Sequence, residues 1–368
     1  MRGVAVATIF AKNYMAFARV LINSFRAYHA EVPFFAVLAD EVDGYFDPAA
    51  EPFRWLQLAD VGIPNLTHFR FRYSLKQVAA AAKPYVLNHV LDQGFRTAIF
   101  LDPDILVPAD LTSLFTQASQ HAIVLLPHLL APLGGKDRIA RELNILQSGV
   151  YNAGCVGVTD SPSGREFLGW WQHRVLAHCD HDVPAGVYYD QRWLDLARVF
   201  FDDVFVLRDS SYNVAHWNLP ERRMVVSREA VVVDGKPCRF FHFSGFDPDH
   251  PHAVTRYSPR LTMDNIGSAA ELFRRYLALL EAAGYHETKT WPYAYDRFDN
   301  GVSVSNEARK IHQQLGEAAV RFGDPLVTTT PDSFFDWLNQ SAKRSARLRA
   351  RIQQLPGALW RRLAGRAR

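Results

Sequence analysis

Cysteine is scarce in this chain of 368 residues, which has three, Cys155, Cys179 and Cys238, and no C-x-x-C pair. Three cysteines cannot build a disulfide framework, so the pattern favours a reducing compartment. A long apolar run is also missing, because the longest stretch without Lys, Arg, Asp or Glu, residues 111–135, carries polar side chains and two prolines. The apolar start of the chain stops at Lys12 without a cleavage site of small residues. We therefore predict a cytoplasmic protein without a membrane span.

Net charge is small in total and concentrated at one end. It is +3 overall, and residues 343–368 alone hold nine Lys and Arg and no Asp or Glu, which leaves −6 on the rest. A total so close to zero predicts no nucleic-acid partner. Apolar residues recur at near-helical spacing among these cations, as in Leu348, Ile352 and Leu355. This pattern predicts a basic amphipathic tail in peripheral contact with the inner face of a membrane, and the alternative is a disordered, solvated end.

The rest of the composition is that of an ordinary globular protein, with 48% apolar and 21% charged residues. Apolar runs at 3–10, 32–39 and 97–101 alternate with helical patterns at 14–28 and 75–93. This alternation predicts an α/β fold with an open sheet flanked by helices. Ligands of such sheets bind beyond the carboxyl ends of the strands.

The pattern turns helical in the last third of the chain, with amphipathic segments at 269–283 and 306–322. We predict three parts: an α/β domain at 1–265, a C-terminal helical accessory region at 266–340 and the basic tail at 341–368.

An acidic pair, Asp102 and Asp104, directly follows the apolar strand at 97–101. The chain has two other D-x-D matches, at 180–182 and 247–249, but neither lies at the carboxyl end of a buried strand. Two carboxylates so close together favour a shared divalent cation that takes further oxygens from a diphosphate. The alternative is a capped turn with no ligand.

Three more motifs follow this segment in order, and together the four resemble the GT-A glycosyltransferases, nearest the retaining family 8 group that includes galactosyltransferases and glycogenin. The resemblance covers residues 3 to about 250 and implies the GT-A (Rossmann-like) open mixed sheet. The matching segments are FLDPDILV at 100–107, Tyr151-Asn152-Ala153-Gly154, Tyr189-Asp190-Gln191 and His242-Phe243-Ser244-Gly245.

The resemblance implies a nucleotide-sugar donor, UDP-linked, and a transfer that retains the anomeric configuration. Residues 1–265 are then the catalytic domain that binds this donor. Asp102, Asp104 and His242 are expected to hold Mn²⁺ or Mg²⁺. Asp190 and Gln191 are expected near the anomeric carbon, where Gln191 stabilises growing positive charge. Donor contacts are implied for Asp102, Asn152, Ala153 and Gly154, with Ala7 and Thr8 at the base and ribose.

The chain also departs from this family. The family follows H-x-G with a Lys-Pro-Trp that contacts the diphosphate, whereas residues 246–251 read FDPDHP. It carries an arginine before the D-x-D strand, where this chain has Lys83 and Tyr85. We expect Lys83 to supply the missing charge.

A polar and aromatic loop follows the predicted strand at 204–207 and is a candidate for the acceptor side. Aromatic rings cover the apolar faces of sugars, while amide and imidazole groups bond their hydroxyls. A packed loop with a buried Trp is the alternative. The candidate residues are Asn213, His216, Trp217 and Asn218, and the acceptor is expected to be a glycan, a lipid-linked sugar or a small molecule.

Two other functions share this architecture. A sugar-phosphate nucleotidylyltransferase needs a glycine-rich basic loop after the first strand, but residues 9–13 contain no glycine. A non-catalytic carbohydrate-binding protein with the same fold also stays open, although the joint presence of six polar motif residues argues against a decayed site.

Overall fold

The computed structural model describes residues 2–51 and 53–340. In chain order its strands are β1 (Arg2–Phe10), β2 (Phe34–Leu38), β3 (Arg54–Gln57), β4 (Phe95–Leu101), β5 (Ile105–Leu106), β6 (Ile123–Pro127), β7 (Tyr151–Thr159), β8 (His181–Asp182), β9 (Val187–Tyr188), β10 (Val204–Val206), β11 (Met224–Val226), β12 (Val231–Val233), β13 (Lys236–Pro237) and β14 (Phe241–His242). Its α-helices are α1 (Met15–His29), α2 (Leu66–Arg72), α3 (Leu75–Asp92), α4 (Thr112–Gln120), α5 (Arg138–Ser148), α6 (Pro162–Ala177), α7 (Ala197–Phe200), α8 (Ala269–Ala282), α9 (Tyr285–Thr288) and α10 (Asn306–Leu315).

The fold is α/β, with a seven-stranded mixed sheet in the order β10-β6-β7-β4-β1-β2-β3. Strands β1, β2, β3 and β4 run parallel, whereas β7 lies antiparallel between β4 and β6. The central strands are apolar on both faces because helices cover both sides of the sheet. The predicted open mixed sheet flanked by helices is therefore confirmed.

Local sequence explains how β7 fits among its neighbours. A Cβ on Gly157 would lie 3.1 Å from Ala118 Cβ and 3.3 Å from Val124 Cβ, so a larger residue would push helix α4 away from the sheet. Helix α3 contains Pro84, and Gln172 Nε2 of the neighbouring helix α6 donates to the Pro84 carbonyl at 3.2 Å, which joins the two helices.

The described chain forms two compact units, one of Met1–Pro64 with Leu75–Ala294, and one of Asn65–Ser74 with the residues from Tyr295 onward. Helix α8 packs within the first unit. The core of the second unit is aromatic, with Phe71 and Phe334 fully buried. The functional division at 265/266 stays a prediction, and the predicted tail at 341–368 lies outside the described residues.

Two local sequence patterns, which predict a helix at 189–198 and a strand at 238–243, differ from the structure. The helix expected at 189–198 is a turn followed by a 3₁₀ segment, Arg192–Leu196, and the short α7. Tyr189 lies at φ 48°, in the left-handed region, which breaks any helix there. The strand expected at 238–243 is limited to β14, since its neighbours form loop contacts.

None of the described helices is long and apolar enough to cross a bilayer.

Candidate active site

The acidic pair lies where β4 ends, and a short two-stranded pairing brings a histidine to it. Strand β5 pairs antiparallel with β14, and Phe243 N donates to the Asp104 carbonyl at 2.9 Å. His242 Nε2 consequently lies 3.0 Å from Asp104 Oδ1 and 3.8 Å from Asp102 Oδ2. One ligand atom from each of the three side chains falls within 4.8 Å of the other two. The structure therefore brings together all three predicted metal ligands.

The donor set fits a divalent cation. Two carboxylates suit Mn²⁺ and Mg²⁺, and the added imidazole favours Mn²⁺ of the two. Three protein ligands would leave coordination positions for substrate oxygens. Gly154 keeps the space beside them open, because a Cβ there would lie 2.5 Å from His242 Cε1 and 2.9 Å from Asp102 Oδ2. The residues thus fit the metal that the motif predicts.

Asn152 fixes the orientation of the His242 ring. Its Oδ1 accepts from Gly154 N at 3.1 Å and lies 3.2 Å from His242 Nδ1. An amide oxygen only accepts, so Nδ1 carries the proton and Nε2 faces the two carboxylates. This is the tautomer that a metal ligand requires.

Without a cation, the imidazole and Asp104 neutralise each other. Burial alone raises the pKa of Asp104, but the adjacent His242 outweighs it and leaves that pKa below its ordinary value. Burial lowers the pKa of His242, yet Asp104 and then Asp102 outweigh this and raise it. A divalent cation bound here would take the place of the imidazolium proton.

The side chain of Gln191 is fully engaged with neighbouring backbone and amide groups. Its Oε1 accepts from Asn152 Nδ2 and from Ala153 N, both at 3.1 Å, and its Nε2 donates to the Ser148 carbonyl at 2.9 Å. These bonds hold the start of β7 against the end of α5. The role at the anomeric carbon stays a prediction.

Lys83 joins two of the predicted site carboxylates. Its Nζ lies 3.0 Å from Asp102 Oδ1 and 3.3 Å from Asp190 Oδ2, and it donates to the Ala153 carbonyl at 3.1 Å. Burial lowers the pKa of this amine, but the two carboxylates outweigh it and hold that pKa above its usual range. With three partners around it, this ammonium is committed to the protein.

Asp190 is 3% exposed, and burial raises its pKa to about 6, against the opposing effect of Lys83. Trp171 Nε1 donates to the Asp190 carbonyl at 3.1 Å, so the buried helix α6 fixes this backbone. Asp190 is therefore a buried carboxylate held between Lys83 and a rigid helix.

Sequence reasoning missed two cations beside this centre, Lys76 and Arg256. Lys76 Nζ lies 3.4 Å from the Tyr257 hydroxyl, and the Arg256 guanidinium lies 5.5 Å from the centroid of the Tyr257 ring and interacts electrostatically with Tyr14. Asp104 influences the pKa of Tyr14, which burial raises, so this cluster lies close to the metal ligands. Among the described residues, no carboxylate lies within 4 Å of either cation.

The turn of the H-x-G motif positions Arg256. Gly245 has φ 75°, and Arg256 N donates to its carbonyl at 2.9 Å. A Cβ on Gly245 would lie 2.5 Å from the ring of Tyr257, so the glycine lets residues 255–257 return to the site. The sequence signal is the Arg256-Tyr257 pair, which begins eleven positions after Gly245 and therefore lies outside the motif itself.

The candidate acceptor residues divide into structural and accessible groups. Asn218 is buried and bonds to backbone: Nδ2 donates to the carbonyls of His128 and Asn213, and Oδ1 accepts from Ala215 N. His216 and Trp217 are partly exposed, and the Trp217 ring meets His242 edge-on at 5.4 Å. The loop therefore extends beside the metal ligands.

Of the other candidate acceptor residues, Asn213 is buried, whereas His216 is partly exposed. Asn213 is buried at φ 51° and its Nδ2 lies 3.5 Å from the Pro127 carbonyl. Burial lowers the pKa of His216 to about 3, so its ring is neutral near pH 7 and can accept a hydrogen bond.

Ala7 and Thr8 are fully buried within β1, opposite Phe35 and Ala36 of β2. A contact of Ala7 or Thr8 with the nucleotide stays a prediction.

Two known proteins match part of the chain. No family model matches the chain. It is 27% identical over 168 residues to the uncharacterized protein YfnF of Bacillus subtilis, covering 45% of this chain and 55% of that protein. It is 24% identical over 198 residues to the uncharacterized protein YfnD of the same organism, and this match covers 52% of this chain and 61% of that protein. The matches thus span less than two thirds of either relative.

The chain also resembles solved structures of glycosyltransferases at low sequence identity. The galactosyltransferase LgtC, in complex with donor and acceptor sugar analogues, has 17% identity over 76% of this chain and 95% of its own, with a TM-score of 0.42. The glycosyltransferase GlyE of Streptococcus pneumoniae has 14% identity over 81% of this chain and 66% of its own, with a TM-score of 0.44. Mouse xyloside xylosyltransferase 1 has 14% identity over 66% of this chain and 98% of its own, with a TM-score of 0.40.

Proposed function

We propose that this chain is a metal-dependent glycosyltransferase that moves a sugar from a UDP-linked donor to an acceptor. The observation that carries the proposal is the cluster of Asp102, Asp104 and His242 at the carboxyl end of β4. This is the edge of an open α/β sheet at which ligands bind. His242 is buried and the two carboxylates are only partly exposed, an arrangement that suits a cation better than a surface turn.

The chain's own groups divide the work of holding a nucleotide diphosphate. A cation bound by the three ligands would neutralise charge on the leaving diphosphate. Arg256 and Lys76 are free of carboxylates and can bond further phosphate oxygens. Lys83 keeps Asp102 and Asp190 close together, because without it their charges would repel.

We further propose that the transfer retains the donor's configuration. An inverting enzyme needs a free base for the acceptor hydroxyl. Asp102 and Asp104 are engaged as ligands, and Asp190 is paired with Lys83. Gln191 is an amide and too weak a base. Front-face attack, or a transient adduct with Asp190, would preserve configuration, and proton NMR of the first product reads it directly.

The test is release of nucleoside diphosphate from a panel of nucleotide sugars, with Mn²⁺, with Mg²⁺ and with excess chelator. We expect turnover only with metal, and Asp104→Ala should lower it by at least about 100-fold, as for loss of a group that stabilises developing charge. Asp182→Ala is the matched control, because it changes an exposed aspartate of another D-x-D. Undiminished turnover in chelator would contradict the proposal.

The acceptor is proposed to be a glycan, a lipid-linked sugar or a small molecule, approached past His216 and Trp217. We also propose a cytoplasmic protein with peripheral membrane contact through residues 341–368, which rests on their sequence alone.

A further inference from the structure

Exposed apolar side chains are concentrated on two neighbouring segments. Of thirteen large hydrophobic residues exposed among those that the structure describes, six lie on α5 and on the segment 192–200. The α5 residues follow a spacing of four and then three, so they form one stripe along the helix. Their exposed fractions range from 38% to 76% for Ile139, Leu143, Leu146, Leu196, Val199 and Phe200.

These two segments flank a cleft of about 750 Å³ at the edge of the large sheet. Leu146 contributes to its lining from α5, Val206 from the edge strand β10 and Leu129 from the loop after β6. Contiguous exposed apolar surface around a concavity indicates a binding site in a soluble protein.

The cleft also carries positive charge. Arg198 and Arg208 line it, and neither has a carboxylate within 4 Å among the described residues. Each guanidinium donates to one carbonyl, of Val204 at 2.7 Å and of Leu130 at 3.0 Å, which leaves further N–H groups free. The lining carboxylate, Glu142, already accepts from Leu133 N at 2.8 Å. An apolar cleft with two unpaired arginines is complementary to an apolar chain that ends in phosphate.

The cleft adjoins the candidate active site. His128 Nε2 lies 3.4 Å from Asn152 Nδ2, while its neighbours Pro127 and Leu129 line the cleft, so one segment forms a wall of both. Helix α5 also contacts the site at both ends: Arg141 donates to the Trp217 carbonyl at 3.1 Å, and the Ser148 carbonyl accepts from Gln191.

We propose that this cleft binds the hydrocarbon chain of a lipid-linked acceptor, with the linking phosphate at Arg198 and Arg208. The proposal rests on the glycosyltransferase function and names its acceptor class. A single bound lipid, rather than a bilayer surface, suits a concave site with a defined charged rim.

The probe is dodecyl phosphate, titrated calorimetrically below its critical micelle concentration. We expect saturable binding by the full chain, weakened at least about tenfold by Leu146→Glu, since a carboxylate would enter the apolar lining and repel the phosphate. Arg208→Ala should weaken dodecyl phosphate more than the neutral dodecyl maltoside. Leu279→Glu, a leucine of α8 that is 45% exposed, is the matched control and should bind as the unaltered chain does.

Equal affinity of the unaltered chain and Leu146→Glu would overturn the inference, as would binding to anionic vesicles without binding of the monomeric probe. A dimer that Leu146→Glu dissociates would show that a second copy covers the cleft, and it too would overturn the inference. The two proposals separate cleanly. Nucleoside diphosphate release without probe binding leaves the glycosyltransferase standing and removes the lipid acceptor. Probe binding without release leaves a lipid-binding cleft but removes the glycosyltransferase, and with it the role of that lipid as an acceptor.

Discussion

At Gly154 the site has no room for even one additional carbon atom. A Cβ would lie 2.5 Å from His242 Cε1, 2.7 Å from Asn152 Oδ1 and 2.9 Å from Asp102 Oδ2. We predict that Gly154→Ala displaces these side chains, weakens Mn²⁺ binding at least about tenfold and costs roughly 1–3 kcal/mol of stability. Calorimetric titration with Mn²⁺ and urea unfolding measure the two effects.

Gly169→Ala provides the control for that substitution. Nothing lies within 4 Å of a Cβ at Gly169, which is within helix α6. There, alanine should raise the free energy of unfolding by about 1 kcal/mol through helix propensity and leave Mn²⁺ affinity unchanged. If both variants bound Mn²⁺ equally well, Gly154 would have no special part in the metal site.

Asp190 makes a pH-dependent contribution to the free energy of unfolding, and a substitution of this residue measures it. Burial raises its pKa from 3.8 to about 6, so the folded chain binds an additional proton between those values. Stability from this carboxyl is therefore present below pH 4 and falls as pH rises to 6, by roughly 3 kcal/mol in all. Urea unfolding in the presence of chelator measures this effect. Between pH 4 and 7, the free energy of unfolding of the unaltered chain should fall by most of that amount relative to that of Asp190→Asn.

The comparison carboxyl is Asp203, whose pKa is lowered, first by a hydrogen bond from His121. Its stabilising contribution is present at neutral pH and is lost as pH falls. Relative to Asp203→Asn, the free energy of unfolding of the unaltered chain should therefore rise with pH, whereas relative to Asp190→Asn it should fall. The same slope for both variants would mean that burial does not govern the titration of Asp190.

Residue types at this site were predictable from motif order, but their partners were not. Asp102 and Asp104 are two positions apart and predicted a shared cation by themselves, whereas His242 lies far from them in sequence and was assigned to that cation only by the family resemblance. Lys83 was expected to meet a diphosphate, yet its Nζ lies between Asp102 and Asp190. Such partners come from three separate elements, and neither period nor spacing in the sequence encodes them.

Among the elements, strands and helices with a strong apolar period were predictable to within a few residues. Strands β1, β2 and β4 and helices α1 and α3 all lie where their patterns indicated. Short elements set by tertiary contacts were not. Strand β14 exists because it pairs with β5, and the turn at Tyr189 exists because its ring packs against His181, with centroids 5.7 Å apart.

The loop that returns from Gly245 to Tyr257 gives a prediction at this scale. Because Arg256 has no carboxylate partner among the described residues, we expect Arg256→Ala to raise the donor KM about tenfold to 100-fold, as for loss of a charge-assisted hydrogen bond. Arg256→Lys keeps the positive charge, so its donor KM should lie between those of the unaltered chain and Arg256→Ala. Arg274→Ala is the control, since that exposed arginine pairs with Glu271 on α8. An unchanged donor KM for Arg256→Ala would exclude this loop from donor binding.

At the scale of the whole molecule, the division into units was not predictable from local pattern. Residues 65–74 interrupt the first unit and belong with the residues after 294. Arg309 makes that association through donated bonds to the carbonyls of Phe71 and Tyr73, both at 2.8 Å. A contact across more than 230 positions has no local signature in the sequence, so no pattern predicts this association.

The distribution of charge along the whole chain yields the last prediction. Nine cations at 343–368 against −6 elsewhere should direct this segment to an anionic surface, each nearby cation contributing about 1 kcal/mol. We expect the full chain to sediment with vesicles that contain phosphatidylglycerol and a chain ending at Gln340 to remain in solution. Binding should weaken between 0.1 M and 1 M salt, because the screening length falls from about 10 Å to about 3 Å. Both chains should turn over a soluble acceptor equally, since every proposed site residue precedes Gln340. Equal sedimentation of the two chains would reject a role for this segment and direct attention to the cleft beside α5 as the source of any lipid affinity.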